Sequence, residues 1–346
     1  MGQALLPTQR PLTLEELEAI LAPIARPVAT RILSGGTFSA VQAVDLADGT
    51  TVVAKTSVPH AVLPDGRTPL LTYEKDMLHA ERDVLLMVEG LARVPAPRVL
   101  HSDFTRDTVE VDVVIMDMIP GTPWNTVLDS MSAEANERAA ESVGGILAAM
   151  QHVSNDRFGY PADDFCLGAS DWPTFVRMQF EAVVNDAEIW GVDIEAERVL
   201  AAVELARDAL THVTTPQLIH NDLWHGNVLL DPASGIVNGV VDFERALFAD
   251  PLWDFVGAES MRSDATTPAL LRGYEAAGGT LPWDRDARTA TGFDAAADQR
   301  TTLYRLWTLS VQYIEIVPRG FSGDWVAGHR KTILDLRKVM LERAGV

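Results

Sequence analysis

Three oxygen-bearing side chains, Asp222, Asn227 and Asp242, stand beside two short apolar runs in the C-terminal half of the sequence. The runs cover residues 217–220 and 236–241, and the β-branched residues of the second indicate a buried strand. Asp222 and Asn227 fall on the polar segment between the runs, and Asp242 directly follows the second run. We therefore expect the three side chains to converge near strand ends.

Phosphoryl transfer is the chemistry that uses this set of groups. A carboxylate orients an attacking hydroxyl, while an amide oxygen and a second carboxylate hold Mg²⁺ against the phosphates of a nucleotide. The pattern predicts Asp222 as the catalytic base and Asn227 and Asp242 as metal ligands. An Asp-Asn turn that only caps backbone N–H groups is the alternative.

The same stretch carries three motifs of a known enzyme family. Residues 220–227 read HNDLWHGN, residues 241–244 read VDFE, and residues 250–254 read DPLWD. They resemble the H-x-D-x-x-x-x-N, D-F-E and D-P-x-x-D motifs of the aminoglycoside phosphotransferase family, whose members are relatives of the protein kinases. In the third motif, we expect Asp250 and Asp254 to anchor backbone groups.

The family resemblance implies an α+β, protein-kinase-like bilobal fold. The small N-lobe would comprise an antiparallel sheet and a helix in residues 1–118. A hinge would follow at 119–125, and residues 126–346 would form a mostly helical C-lobe. Nucleotide would lie in the cleft between the lobes, and the phosphate acceptor would bind to the C-lobe.

A glycine-rich segment separates two predicted strands near the N-terminus, at residues 29–33 and 40–46. Paired glycines let backbone N–H groups approach phosphate oxygens, and flanking hydroxyls add donors. The predicted nucleotide contacts here are Gly35, Gly36, Thr37 and Ser39. Because Gly-Gly more often makes a plain turn, this segment carries weight only together with the lysine that follows.

Lys55 ends a third predicted strand, 51–55, which resembles the V-A-I-K strand of kinases. The resemblance implies that Lys55 contacts nucleotide phosphates and pairs with an acidic residue of the next helix, predicted at 71–91. Glu81 is the expected partner because it opens a segment similar to the family's E-x-x-x-L, and Glu74 is the fallback. A lysine that snorkels at a strand edge and a solvated helix glutamate are the alternatives.

A further strand pair is predicted at residues 98–103 and 108–116. Its second strand runs into MDMIPG, which is similar to the M-E-x-x-x-G hinge of the family. The resemblance implies that main-chain groups of Asp117 and Met118 bind the base of ATP or GTP, with Met116 packed behind it. A Pro-Gly boundary is also where a domain linker is expected.

After residue 122 the apolar residues recur with helical spacing. Ser132 and the Trp172-Pro173 pair are predicted to begin two of the helices. The other predicted helices cover residues 194–210, 268–277, 301–317 and 325–341.

The formal net charge of the chain is −21. Such a field repels nucleic acid and anionic membrane and attracts a cationic small molecule, although acidic surfaces also keep proteins soluble. Carboxylates in the acceptor cleft would pair with ammonium groups. The candidate acceptor-binding residues, which no motif supplies, are Glu244, Glu259, Asp264, Tyr313 and Glu315.

The sequence thus predicts a kinase that depends on Mg²⁺ and on ATP or GTP and acts on a small cationic acceptor, such as an aminoglycoside. Asn221 stands where the family often has Gly and resembles the H-N-D of choline kinases. A kinase of an amino alcohol or sugar is therefore the nearest alternative. A pseudokinase sensor, or a phosphoesterase using His220, Asp222 and Asp242, are alternatives from other classes.

Length and composition agree with a two-lobed protein. The 346 residues are 47% hydrophobic, which is enough for a sizeable core. No apolar run reaches the length of a membrane span, and a lone cysteine, Cys166, excludes an intramolecular disulfide. We expect a soluble, cytoplasmic monomer or homodimer without nucleic-acid or membrane partners.

Overall fold

A five-stranded antiparallel sheet forms the N-terminal part of the computed structural model, which describes residues 6–33, 38–261, 266–284, 286 and 289–346. Its strands are β1 (Pro27–Ile32), β2 (Ala40–Leu46), β3 (Thr51–Ser57), β4 (Val99–Asp103) and β5 (Asp112–Asp117). They lie in the order β1-β2-β3-β5-β4. The four strands β1 to β4 are within two residues of their predicted bounds.

Helices cover both faces of this sheet. The first, α1 (Leu14–Ile20), begins with a capping box in which Thr13 and Glu16 satisfy each other's backbone N–H groups. Its Leu17 belongs to an apolar cluster with one face of the sheet. The second helix, α2 (Met77–Val88), packs its apolar side on the opposite face, in the main core of the protein.

The start of α2 differs from the prediction of a helix from residue 71. The Leu71 N–H donates to the Glu74 carboxylate at 2.8 Å, and the Thr72 N–H donates to Asp186 at 2.9 Å. Side-chain acceptors of this kind compete with the helical backbone bonds. The segment before Met77 is consequently an irregular connection that is tied to the helical region.

The start of β5 also differs, because the strand begins at Asp112 rather than at residue 108. The Asp103 carboxylate accepts from the N–H and the hydroxyl of Thr105, which makes a local turn. Arg106 follows with a φ of 62° and donates to Asp112 at 2.9 Å. The turn thus lies before the predicted strand, and residues 108–111, which were predicted as strand, continue the irregular connection up to Asp112.

The remainder of the chain is mostly helical. Its helices are α3 (Trp124–Val127), α4 (Ala133–Met150), α5 (Trp172–Trp190), α6 (Ala196–Leu205), α7 (Arg207–Leu210), α8 (Leu252–Ala258), α9 (Pro268–Ala276), α10 (Ala295–Glu315) and α11 (Asp324–Ala344). Its strands are β6 (Thr122–Pro123), β7 (Phe158–Gly159), β8 (Gly168–Ala169), β9 (Gln217–Ile219), β10 (Val228–Asp231), β11 (Ile236–Val240) and β12 (Leu247–Ala249).

Two small sheets hold the segment that contains Asp222. One has the order β11-β10-β6 and the other the order β8-β7-β12-β9. Asp222 and Asn227 therefore lie between the end of β9 and the start of β10, and Asp242 follows β11. The strand β10 was missed in the sequence, although it forms the hairpin that brings Asp242 back to Asp222.

The predicted linker 119–125 is only partly a free connection. Gly121 has a φ of 139°, and Thr122 and Pro123 then pair with Leu230 and Leu229 of β10. The segment thus joins a sheet of the helical region immediately after the turn at Gly121.

Several helices of the C-terminal region depart from their predicted bounds, and two short ones were missed. The predicted helix 194–210 is divided at Ala206, between α6 and α7. The helix α10 begins earlier than predicted, because Asp294 caps it by accepting from the Ala297 N–H at 2.8 Å. The short helices α3 and α8 were not predicted. Within the described part of the chain, no helix combines the length and apolar character needed to cross a bilayer.

Candidate active site

Lys55 is the centre of a buried group of charges. Its Nζ lies 2.7 Å from Glu81, 2.5 Å from Asp242 and 2.8 Å from Glu244. The middle strand β3 carries Lys55, α2 carries Glu81, and the 3-10 turn after β11 carries Glu244. We call these four residues the Lys55 cluster.

The Lys55 cluster has more acidic than basic groups. Burial lowers the pKa of the lysine, but its three carboxylate neighbours outweigh this effect and raise the pKa above the usual value. Burial and the charge of Asp242 raise the pKa of Glu244 to about 8. Burial also raises the pKa of Asp242, yet the charge of Lys55 overcomes it and leaves that pKa below normal. A carboxylate of lowered pKa remains available to a cation.

Asp242 and Asn227 fit a divalent cation. Asn227 Nδ2 donates to the backbone carbonyl of Asp222 at 2.8 Å, so its Oδ1 is left as an acceptor. Ligand oxygens of Glu81, Asp242 and Glu244 lie within 4.8 Å of one another. Asp242 keeps its charge beside Lys55, and hard oxygen donors suit Mg²⁺. The donor chemistry thus matches the metal role predicted for Asn227 and Asp242.

The loop that carries Asp222 is held by α8. Asp254 of that helix accepts from the N–H groups of His220 at 3.2 Å and Asn221 at 2.8 Å. Asn221 has a φ of 61°, a left-handed conformation that Asn tolerates better than most residues. Gly257 of α8 permits the close approach, since a Cβ there would stand 2.6 Å from the Asn221 backbone. Asp254 therefore anchors backbone groups, as expected.

Two other residues of these motifs serve the packing of the loop. His220 is completely buried and packs on Phe243 with ring centroids 4.5 Å apart. Burial lowers the pKa of His220 to about 4, so the ring is neutral at pH 7. Asp250 accepts from Arg300 Nε at 2.8 Å and from Tyr304 Oη at 2.7 Å, which ties the motif to α10.

Asp222 faces an arginine that sequence analysis missed. Burial raises the pKa of Asp222 to about 7, and the positive charge of Arg245 opposes that rise. Arg245 Nε stands 3.9 Å from Asp222 Oδ2, and Arg245 Nη2 donates to Glu315 at 2.9 Å. The only signal in the sequence was the place of Arg245 directly after the D-F-E motif.

Arg245 belongs to a second buried group, which we call the Arg245 network. Tyr73 Oη donates to Glu315 at 3.0 Å and lies 3.2 Å from Glu74, which forms an ion pair with Arg319. The guanidinium of Arg245 also lies over the Tyr73 ring, 5.5 Å from its centroid. The members are Tyr73, Glu74, Arg245, Glu315 and Arg319. Glu74, the fallback partner for Lys55, is thus committed to Arg319.

The candidate acceptor residues are dispersed. Glu244 lies in the Lys55 cluster and Glu315 in the Arg245 network, whereas the Glu259 carboxylate accepts from the Thr267 N–H at 3.0 Å. The guanidinium carbon of Arg330 lies over the Tyr313 ring, 5.9 Å from the ring centroid. Asp264 lies outside the described residues. Of the four that the structure describes, only Glu315 is linked to Asp222 by the contacts above, and the link runs through Arg245.

The candidate nucleotide residues occupy the sheet side of the site. Ser39 is buried directly before β2, and Met116, a residue of β5, is buried in the main core. The Asp117 N–H donates to the Arg98 carbonyl at 3.0 Å, so that N–H group is already used. Met118 follows outside the strand and remains the hinge candidate for base contact. Gly35, Gly36 and Thr37 lie outside the described residues.

Comparison with known proteins gives the family and the fold. A protein of Lactiplantibacillus plantarum named "Probable ketoamine kinase" is 29% identical over 117 residues, which cover 30% of this chain and 41% of that protein. The crystal structure of a thermostable mutant of aminoglycoside phosphotransferase APH(4)-Ia, in complex with AMP-PNP and hygromycin B, superposes with a TM-score of 0.61. It is 16% identical, and the match covers 96% of this chain and 99% of that one.

A second solved structure has the same fold. Macrolide 2'-phosphotransferase MphH from Brachybacterium faecium has a TM-score of 0.51 and 17% identity, with 94% of this chain and 98% of that chain covered. The predicted α+β, protein-kinase-like fold is confirmed by these likenesses. The profile of the phosphotransferase enzyme family, APH, matches residues 17–290. Because the matched residues make up well over half of this chain, the chain belongs to the phosphotransferase enzyme family.

Proposed function

We propose that the protein transfers the γ-phosphoryl group of ATP to a hydroxyl group of a small molecule. The observation that carries this proposal is the convergence of the Lys55 cluster with the loop of Asp222 and Asn227. The Asn227 backbone carbonyl accepts from the N–H of Val241 at 3.0 Å, directly before Asp242. Asp242 lies 2.5 Å from Lys55 Nζ, and Asn227 Nδ2 donates to the Asp222 carbonyl. A lysine, an amide oxygen and two carboxylates are the parts that phosphoryl transfer requires.

Each residue has a role in this reaction. Asp222 orients the acceptor hydroxyl and takes its proton as the new O–P bond forms and the bond between the γ-phosphorus and the bridging oxygen breaks, which releases ADP. Lys55, fixed by Glu81, binds phosphate oxygens and stabilises the charge that develops during transfer. Asn227 and Asp242 hold Mg²⁺, which supplies further charge neutralisation when it is bound. Met118 and the glycine-rich segment 34–39 contact the nucleotide.

The donor and acceptor are proposed at different levels of detail. ATP is the first donor to test, because the APH(4)-Ia neighbour was crystallised with an ATP analogue, and GTP is the second. For the acceptor, we propose an aminoglycoside or related cationic natural product, which would make this a cytoplasmic resistance enzyme. The "Probable ketoamine kinase" relative favours a sugar derivative as the second candidate.

The central test is release of ADP or GDP by the purified protein, with and without Mg²⁺. Acceptors to compare are hygromycin B, streptomycin, a macrolide, a ketoamine and choline. Stimulation by an acceptor and formation of its phosphate ester are the expected results. A protein that binds ATP tightly but phosphorylates none of them would instead act as a pseudokinase sensor.

Asp222→Ala tests the assignment of the base. We expect turnover to fall by about 10²- to 10⁴-fold, the usual contribution of a general base, while ATP still binds. Asp335→Asn, which alters a carboxylate 65% exposed on α11, is the matched control. Transfer by Asp222→Ala at the wild-type rate would refute the proposal. Phosphoesterase activity that survives Lys55→Ala would show that the protein is a phosphoesterase rather than a kinase.

A further inference from the structure

A small cavity opens beside Asp222, and its lining is mostly uncharged. It is formed where the loop of Asp222 meets the C-terminal half of α10. Asp222 and Arg245 are the only charged side chains among its described lining residues. The uncharged polar residues that line it are Tyr73, Asn221, Ser260, Thr308 and Gln312.

The carboxylates expected to bind an ammonium group are already occupied. Glu244 Oε2 lies 2.8 Å from Lys55 Nζ, and Glu315 Oε1 accepts from Arg245 at 2.9 Å. Glu259 accepts from the backbone of Thr267. Among the described candidates, none therefore offers an uncommitted carboxylate to a cation next to the reacting hydroxyl.

Arg245 instead directs hydrogen-bond donors toward the place where an acceptor must bind. A guanidinium has five N–H donors and no acceptor. In the described part of the chain, the Nη2 group of Arg245 is bonded to Glu315, whereas no partner accepts from Nε or Nη1. The 3.9 Å from Nε to Asp222 Oδ2 exceeds a direct hydrogen bond, and the side chain is 20% exposed.

The Arg245 network holds this guanidinium in place. Glu315 binds its Nη2 group and also accepts from Tyr73, while the Tyr73 ring lies under the guanidinium. Tyr73 is bonded in turn to Glu74, whose carboxylate pairs with Arg319. A donor fixed in this way loses little entropy when it binds a ligand.

We propose, on the basis of the phosphotransfer function above, that Arg245 binds an oxygen of the acceptor adjacent to the hydroxyl that reacts. The acceptor end that enters the site is then a vicinal diol, a hydroxy ketone or a hydroxy acid. An amine in that adjacent position would meet a guanidinium and be rejected. An ammonium group elsewhere on the acceptor is compatible with this assignment.

Matched acceptor pairs test the inference without any variant. D-Glucose and D-glucosamine form one pair, and trans-cyclohexane-1,2-diol and trans-2-aminocyclohexanol form the other. We expect the oxygen member to stimulate ADP release with a kcat/KM at least about tenfold higher in each pair. Preference for the amine member, or phosphorylation of neither diol, would overturn the assignment of Arg245.

Variants of Arg245 give a second, independent readout. Arg245→Lys keeps the charge and one donor direction, so we expect the KM for the diol to rise about tenfold while the KM for ATP stays within twofold. Arg245→Met should raise the diol KM further, and Arg272→Lys, at an exposed pair on α9, is the control. If both Arg245 variants lower kcat for every acceptor without changing its KM, Arg245 only orients Asp222 and the inference is wrong.

The phosphotransfer function and the role of Arg245 are refuted by different results. If Asp222→Ala abolishes transfer but amines are the better acceptors, the phosphotransfer function stands and only the role of Arg245 is lost. If Asp222→Ala retains transfer, the function proposed for the site is itself refuted. Thermal unfolding and ATP binding of the Arg245 variants show whether each is folded before its kinetics are compared.

Discussion

The Lys55 cluster and the Arg245 network are both buried groups of charged side chains, yet their charges are balanced differently. The first sets one lysine against three carboxylates, whereas the second sets two guanidiniums against Glu74 and Glu315. An excess of acidic groups over basic ones offers oxygen ligands to a cation from outside, such as a metal ion. In the Arg245 network the opposite charges pair with each other, so the network can position the Arg245 guanidinium for a ligand. The carboxylates of the Lys55 cluster can thus serve as ligands of a cation, whereas those of the Arg245 network hold a guanidinium in place.

Lys55→Met is expected to have the largest effect, because it removes the only basic residue of the Lys55 cluster. We predict a fall in turnover of about 10²- to 10³-fold from lost transition-state stabilisation. Uncompensated carboxylates should also lower the free energy of unfolding by about 3 kcal/mol. Steady-state kinetics and urea unfolding measure the two effects.

The double variant Lys55→Met/Glu244→Gln separates stability from catalysis. Removing one carboxylate relieves the repulsion, so the stability should partly return while turnover stays low. If turnover returned together with stability, Lys55 would be only a structural counter-ion.

Arg319→Met disrupts the Arg245 network. It leaves the Glu74 carboxylate, which is completely buried, without its ion-pair partner. We expect a loss of about 3 kcal/mol in unfolding free energy. Lys331→Met, at a pair on α11 whose side chains are 77% and 65% exposed, is the control and should cost less than about 0.5 kcal/mol. Equal losses in the two variants would show that the network adds nothing to stability.

Gly257→Ala probes the loop that lies between the two regions. The new Cβ would stand 2.6 Å from the backbone of Asn221, so the loop must move and Asp222 with it. We predict a fall in kcat of about 10²-fold with little change in the KM for ATP. Gly145→Ala is the matched control, since its Cβ would have no neighbour closer than 3.8 Å. An unchanged kcat in Gly257→Ala would show that the loop position is not critical.

Asp254→Asn should have the smallest effect, seen as a change in the pH dependence of stability. Burial raises the pKa of Asp254 to about 7 from its model-compound value of 3.8. The folded state then binds the proton more tightly than the unfolded state, so this group lowers stability as pH rises from about 4 to about 7. Asn removes that contribution and keeps an acceptor for one of the two N–H groups.

Unfolding free energies of Asp254→Asn and the wild type between pH 4 and pH 7 provide the measurement. His220 acts in the opposite direction, because its lowered pKa of about 4 makes stability rise with pH over the same range. The difference between the two proteins cancels this contribution. A difference that stays constant with pH would contradict the raised pKa of Asp254.

Particular residues show how far the sequence could be interpreted. Asp222, Asn227 and Asp242 were identified from type and spacing, and the pairing of Lys55 with Glu81 followed from the family resemblance. Arg245 was missed because a single arginine after a motif has no periodicity or spacing to mark it. Its importance depends on Glu315, which is 70 residues away in the chain.

The sequence by itself determined the strands of the N-terminal sheet, most of the long helices and the motifs at their ends, because these depend on local periodicity, capping and turn chemistry. Only the tertiary structure decided which basic residue pairs with each buried carboxylate. Glu244, a candidate for binding the acceptor, pairs with Lys55, and Glu74, the fallback partner for Lys55, pairs with Arg319. Partners of buried charges are chosen by contacts between distant segments, and the cost of leaving such a charge unpaired makes that choice decisive.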